Sequence, residues 1–304
     1  MYRENVKLAP FTTFRIGGMA RLFAEPATVG ELAEVLASAT RSGLAVHVLG
    51  GGSNLLVGDA GVDGLVIHIA GREDFGGITP LADVDGGWRI GAGVPLPVLV
   101  TKMAENGMAG IEDLAGIPGS IGGALAMNAG TQSIGFGNVV RKALVAYPSG
   151  EFRELGQGEL SFGYRRSGLG SAIAVWVEVF FEKRGTPGEL LERIRCRKES
   201  KTSDQPIGMA SAGCIFKNPD ARSAGWLLDR AGCKGMAEGG AEVSPIHANF
   251  VVNRGGASSR DIAALIGRMR AAARANFGID LELEIKTWGL GPEEHERMAG
   301  RNND

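Results

Sequence analysis

The sequence is poor in residues that cross-link a chain or ligate a metal. Its three cysteines, Cys196, Cys214 and Cys233, are odd in number and contain no CxxC pair. That excludes a disulfide scaffold and a zinc ribbon and fits a reducing compartment. Four histidines, at positions 47, 68, 247 and 295, are too dispersed to build a metal centre. No GxGxxG occurs, so a Rossmann dinucleotide site has no support, and no Gly-Lys dipeptide occurs, so there is no P-loop. HExxH and GxSxG are absent too, which removes zincin and serine-hydrolase chemistry. No apolar run approaches a membrane span, and the first residues carry no apolar signal core. Neither sign of charge dominates: 32 Lys plus Arg against 34 Asp plus Glu leaves −2, which argues against nucleic acid or an anionic membrane as partner. The expectation is a soluble cytoplasmic protein that holds any anionic ligand by local donors.

What the chain does have is glycine: 48 of 304 residues, more than twice the usual share of about 7%. The glycines are spread through apolar stretches, so they signal tight turns and close backbone approach rather than disorder. The first third alternates helix and strand. Thr28 and Glu31 frame a capping box ahead of Leu32, Val35, Leu36 and Ala39 on one helical face. Residues 45–49 and 65–69 read as strands. Further on, residues 88–92 and 173–182 read as strands, and Pro95 opens a helix carrying Leu96, Leu99, Val100 and Met103. Helices are expected over 189–200, 222–230 and from Ser258 to Gly278, then a strand over 280–288 and a frayed tail over 292–304. A breaker cluster at 183–188 marks a domain boundary.

Two glycine loops stand out. Gly50, Gly51, Gly52, Ser53 and Asn54 follow a strand and offer unhindered N–H groups, an arrangement that suits a pyrophosphate or, equally, a plain turn. Gly116, Pro118, Gly119, Ser120, Gly122 and Gly123 supply a second such loop. Together, in a chain without Rossmann or P-loop signals, they favour a large dinucleotide held mainly by backbone.

Six blocks then occur in a fixed order: TFRIGG from Thr13, LGGGSNLLV from Leu49, IPGSIGGALAMN from Ile117, FGYR from Phe162, GCIFKNP from Gly213 and LELEIK from Leu281. In this order they resemble the UDP-N-acetylenolpyruvoylglucosamine reductase family, over about residues 10–290. The resemblance implies an α+β architecture: a two-subdomain FAD-binding fold of the vanillyl-alcohol-oxidase (PCMH) type, over 1–70 and 71–183, plus a C-terminal α+β substrate-binding domain over 184–304. It places the FAD pyrophosphate on residues 50–54 and the second loop near the other face of the cofactor. Residues 50–61 contain no His or Cys, so the FAD is expected to be bound without a covalent link.

The resemblance also implies a reaction, reduction of UDP-N-acetylglucosamine enolpyruvate to UDP-N-acetylmuramate for peptidoglycan. NADPH reduces FAD, hydride passes to C3 of the vinyl group, charge builds on C2 and its carboxylate, and an acid protonates C2. By family position Arg165 holds the carboxylate, Glu284 shares the charge and Cys214 gives the proton; Tyr164, Lys217 and Asn218 line the substrate. Taken alone, Arg165 and Arg166 read as a solvated pair, Glu284 alternating with Glu282 as an exposed face, and Cys214 as a small buried hydrophobe. Cys214 departs from the family, which more often has serine there; a thiol, with a pKa of about 8.5, is the stronger acid. The stretch from Arg165 to Cys214 matches the shorter family branch, and a monomer is expected. An oxidase of the same fold, or a UDP-sugar-binding protein without redox chemistry, are the alternatives.

Overall fold

The computed structural model describes residues 2–220 and 222–300. Local signals open most elements where expected. The Thr28 hydroxyl accepts from the Glu31 N–H at 3.2 Å and starts the helix Val29–Arg41, which buries Leu32, Val35, Leu36 and Ala39. Pro95 precedes the helix Leu96–Glu105, its fixed φ suiting a helix entrance. Ser258 caps Ser259–Phe277 by accepting from the Asp261 N–H, while Asp261 accepts from the Ser258 N–H; Gly278 ends that helix at φ 66.

The chain divides into two compact units. One comprises Met1–Arg3, Phe23–Gly51 and Gly64–Ser200; the other comprises Glu4–Leu22, Gly52–Asp63 and Lys201–Asp304. The segments 1–70, 71–183 and 184–304 follow chain order, whereas these units follow which strands and loops pack together. The breaker cluster at 183–188 leads into the helix Pro187–Asp204, most of which stays with the first unit.

In the first unit, Val46–Leu49 pairs in parallel with the strand Val62–His68, Val46 opposite Leu65 and Leu49 opposite His68. A five-stranded antiparallel sheet runs in the order Ile78–Pro80, Gly87–Gly91, Ile173–Phe180, Val140–Ala146, Phe152–Gly156. Its central strand buries Val175, Val177 and Val179. On the opposite face it presents Glu178, which pairs with Arg89 at 2.7 Å and Lys142 at 3.6 Å. The short helix Ile121–Met127 lies close to this sheet, and Gly122 is what permits the approach: a Cβ there would stand 3.3 Å from the Ala92 carbonyl oxygen.

In the second unit, the helix Ser259–Phe277 buries Ile262, Leu265, Ile266 and Met269 among Phe14, Ile16, Leu56, Ile215, Phe216 and Leu228. A three-stranded sheet orders Ala237–Glu238, Ala241–Val243 and Val251–Asn253. A parallel pair joins Leu55–Val57 to Lys286–Trp288. The strand expected over 280–288 is therefore shorter, with Leu283 making only an isolated bridge to Phe216. The expected frayed tail is corrected as well. Pro292–Ala299 is a helix whose Glu294 accepts from the Gly291 N–H at 2.7 Å and whose Met298 is buried. One apolar residue and a capped first turn outweigh the polar composition that suggested fraying. The last four positions of that expected tail, 301–304, lie outside the described residues.

Candidate functional site

In the first unit the two glycine loops meet. A Cβ at Gly50 would overlap the Ser120 Oγ, and one at Gly51 would come within 2.8 Å of the Gly119 Cα. The second loop is fastened from behind: Leu96 N–H donates to the Gly119 carbonyl at 2.9 Å, Ile121 N–H to Val94 at 2.9 Å and Gly122 N–H to Ala92 at 2.8 Å. Gly116 and Gly119 take φ of 78° and 110°, which suit glycine and strain other residues. Ser120 caps the following helix, its Oγ accepting from Gly123 N–H at 3.4 Å. By contrast, no backbone carbonyl among the described residues accepts from the N–H of Gly50, Gly51, Gly119 or Ser120. Two abutting glycine-rich loops with such donors have the chemistry to cradle a pyrophosphate, and so are compatible with FAD. Gly122 and Gly123 serve packing and capping here.

The remaining loop residues belong to the second unit. The Gly52 carbonyl accepts from Thr13 N–H at 3.1 Å and from the Thr13 hydroxyl at 3.3 Å, and Gly52 sits at φ 60 against Phe11. The TFRIGG block thus braces this end of the loop. Ser53 and Asn54 are half-buried. The Asn54 side-chain amide donates to the Glu284 carbonyl at 3.2 Å, while Lys286 N–H donates to the Asn54 carbonyl at 2.9 Å.

Arg165, in the first unit, sits in a tight turn. Gly163 N–H donates to the Arg166 carbonyl at 3.0 Å and Arg166 N–H to the Gly163 carbonyl at 3.3 Å. Arg165 takes a φ of 54°, left-handed for a residue with a side chain, a conformation that costs about 1–3 kcal/mol and clusters at functional sites. Its Nη1 donates to the Gly130 carbonyl at 3.0 Å, and its guanidinium carbon lies 5.1 Å from the Tyr164 ring centroid. Tyr164 is 49% exposed.

Cys214 and Glu284 belong to the second unit, on adjacent extended segments. Glu284 N–H donates to the Ile215 carbonyl and Lys217 N–H to the Glu282 carbonyl, both at 2.8 Å. Cys214 is half-buried, forms no disulfide, and is bridged through its backbone to Phe250. The two glutamates differ: Glu282 is exposed and Glu284 half-buried. Lys217 pairs with Glu282, and this hydrogen-bonded ammonium holds the Glu282 carboxyl below its usual range. Lys217 is thus engaged by a carboxylate. Asn218 accepts from Ala224 N–H at 2.9 Å and so helps start the helix Ala224–Arg230.

Two asparagines that sequence reading left without a role support these segments. Asn249 is 1% exposed; its Oδ1 accepts from Phe216 N–H at 3.0 Å and its Nδ2 donates to the Phe216 carbonyl at 2.8 Å. It locks the stretch that carries Cys214. Asn128 donates to the Gly163 carbonyl at 2.9 Å and accepts from Gly137 N–H at 2.9 Å. Asn128 closes one of the six sequence blocks, which was its only visible signal.

Residues 20–156 match the family model described as FAD binding domain, and residues 205–288 match UDP-N-acetylenolpyruvoylglucosamine reductase, C-terminal domain. The chain is 39% identical to UDP-N-acetylenolpyruvoylglucosamine reductase 2 of Symbiobacterium thermophilum over 292 residues, 95% of this chain and 93% of that one. It is 40% identical to the reductase of Moorella thermoacetica over 94% of this chain and 93% of that one. The crystal structure of UDP-N-acetylenolpyruvylglucosamine reductase from Thermus caldophilus superposes with a TM-score of 0.80 at 36% identity, covering 95% of this chain and all of that one.

Proposed function

The chain belongs to the UDP-N-acetylenolpyruvoylglucosamine reductase family, and from that premise we infer how its own residues carry the reaction. It has the FAD-binding fold of the vanillyl-alcohol-oxidase type followed by a C-terminal α+β domain. It is an FAD-containing oxidoreductase that uses NADPH to reduce UDP-N-acetylglucosamine enolpyruvate in peptidoglycan precursor synthesis. When bound, FAD would supply the hydride chemistry between NADPH and the enolpyruvyl double bond.

The observation that carries the reading is the meeting of Gly50 and Gly51 with Gly119 and Ser120. Residues 50–54 and 116–123 would line FAD, with the backbone N–H groups of Gly50, Gly51, Gly119 and Ser120 as donors to it and no covalent link. The guanidinium of Arg165 would grip the substrate carboxylate with its planar fork as charge develops there. Glu284 would share that charge through a hydrogen bond from its carboxyl group. The Cys214 Sγ would hold the proton destined for C2. Tyr164, Lys217 and Asn218 would contact the substrate, and Lys217 would exchange its Glu282 partner to do so. Segments 1–70 and 71–183 would serve FAD and 184–304 the substrate. We place this chemistry in the cytoplasm, in a monomer without nucleic-acid or membrane partners; no helix among the described residues is long and apolar enough to cross a membrane.

NADPH oxidation measured with and without the UDP-enolpyruvyl sugar tests the reading. Oxidation that depends on the sugar is the expected result. Rapid reoxidation by air without it would identify an oxidase, and colourless protein would identify a sugar-binding protein without redox chemistry.

A further inference from the structure

We infer that Asn128 is a positioning residue that holds the turn bearing Arg165 in its substrate-binding shape; the inference rests on the role given to Arg165 above. Asn128 ends the helix Ile121–Met127 at φ 42, ψ 56, a left-handed conformation that asparagine tolerates better than most residues. Both halves of its amide are used. Oδ1 accepts from Gly137 N–H and Nδ2 donates to the Gly163 carbonyl, each at 2.9 Å. Because one partner is a donor and the other an acceptor, only one orientation of the amide satisfies both. Gly135 leaves the space this amide fills, since a Cβ there would lie 2.6 Å from Oδ1.

Gly163 opens the turn whose third residue is Arg165. Two further bonds tie the same turn to the chain around Asn128. The Arg165 guanidinium donates to the Gly130 carbonyl at 3.0 Å, and the Ser167 hydroxyl donates to the Ala126 carbonyl at 3.2 Å. A guanidinium has five N–H donors, so the bond to Gly130 is compatible with gripping a carboxylate. Arg165 itself is left-handed at φ 54. Such a conformation persists only while its surroundings enforce it, and Asn128 supplies that enforcement at the base of the turn.

The test uses the flavin-loaded protein and two substitutions that both tolerate the left-handed backbone. Asn128→Asp keeps the acceptor for Gly137 but sets a carboxylate oxygen against the Gly163 carbonyl; Asn128→Gly removes both bonds. Flavin absorbance per chain, flavin reduction by NADPH and flavin reoxidation by the UDP-enolpyruvyl sugar are measured separately. Each variant is expected to reoxidise about tenfold more slowly or to need about tenfold more sugar, the loss set by one hydrogen bond and the misplacement that follows. FAD content and reduction by NADPH stay near native. In an Arg165→Lys background the Asn128→Asp effect shrinks, because the two residues act through one group.

Full additivity with Arg165→Lys, native reoxidation in Asn128→Asp beside an impaired Arg165→Lys, or equal loss in both half-reactions overturns the inference. Loss of FAD or of the fold in both variants assigns Asn128 to structure alone and overturns it too. Native reoxidation in Arg165→Lys instead removes the role of Arg165, and this inference with it.

Discussion

Asn54 donates its side-chain amide to the backbone carbonyl of Glu284 across 3.2 Å, joining residues 230 apart in sequence. Lys286 N–H answers by donating to the Asn54 carbonyl at 2.9 Å, and the parallel pair Leu55–Val57 with Lys286–Trp288 continues the contact. The end of the first glycine loop and the segment bearing the proposed acid are therefore one hydrogen-bonded piece of the second unit. Asn54→Ala removes one bond of about 0.5–1.5 kcal/mol. Hydrogen exchange at the Lys286 amide should quicken, and the thermal midpoint should fall by about 2–4 °C per kcal/mol lost. Unchanged exchange at Lys286 would show that the backbone pairing alone holds this segment.

The loop contact in the first unit predicts a cofactor defect. In Gly51→Val the added side chain would press on Gly119, 2.8 Å from the Cβ position, and the two loops would part. Purified native protein is expected to be yellow and to release all its FAD on denaturation, whereas the variant should purify with little flavin. Gly30→Ala is the matched control, because the nearest atom to its new Cβ is 3.8 Å away inside the helix Val29–Arg41. Flavin that stays with the denatured chain would refute the noncovalent reading, and full occupancy in Gly51→Val would reduce the loop to a turn.

Arg165→Lys keeps the charge but loses the planar fork. It also leaves a flexible side chain in a left-handed turn whose guanidinium anchor to Gly130 is gone. Reoxidation of the flavin by the UDP-enolpyruvyl sugar should slow while reduction by NADPH stays near native. Equal losses in the two half-reactions would point to a damaged fold.

The three cysteines separate by environment. Cys233 is fully buried, and burial pushes its thiol up to about 11, against a smaller opposing pull from Arg268. A raised thiol favours the protonated form in the folded chain. Its contribution to stability is therefore intact below about pH 8.5, the unfolded thiol's range, and is lost as pH climbs toward 11. Alkylation at pH 8 should spare Cys233 and modify Cys196 and Cys214, with bound UDP-sugar protecting Cys214. If Cys214 carries the proton, Cys214→Ser should retain substantial turnover. Cys214→Ala should accept electrons from NADPH normally yet lose about 10²–10⁴-fold in reoxidation by substrate. Native turnover in Cys214→Ala would make the thiol mere packing.

Much of this protein was legible without coordinates, but unevenly. Periodicity and caps located the longer helices, though not Ile121–Met127, because a capping hydroxyl and an apolar stripe are local facts, as Thr28 and Ser258 illustrate. The short helix Pro292–Ala299 escaped because its stability rests on one buried methionine and on partners distant in sequence. The strand over 280–288 was overextended because alternating Leu and Glu satisfies a strand pattern whether or not a neighbour pairs with every residue. The sequence does not show the partners of Lys217 and Asn218, which are Glu282 and the Ala224 N–H, because each pairing depends on chain packing.

By itself the sequence determined the fold class, the cofactor and the chemistry through the family resemblance that its six ordered blocks carry, and its two glycine loops mark where backbone can come close to a ligand. Tertiary structure alone decided which residues share a unit. It set Gly50 and Gly51 against Gly119 and Ser120, and gave Asn54 to the segment of Glu284. It also made Asn128 the support of the Arg165 turn. These pairings span from tens to hundreds of residues, and no local propensity encodes them. They arise when separate segments satisfy each other's donors, acceptors and volume at once.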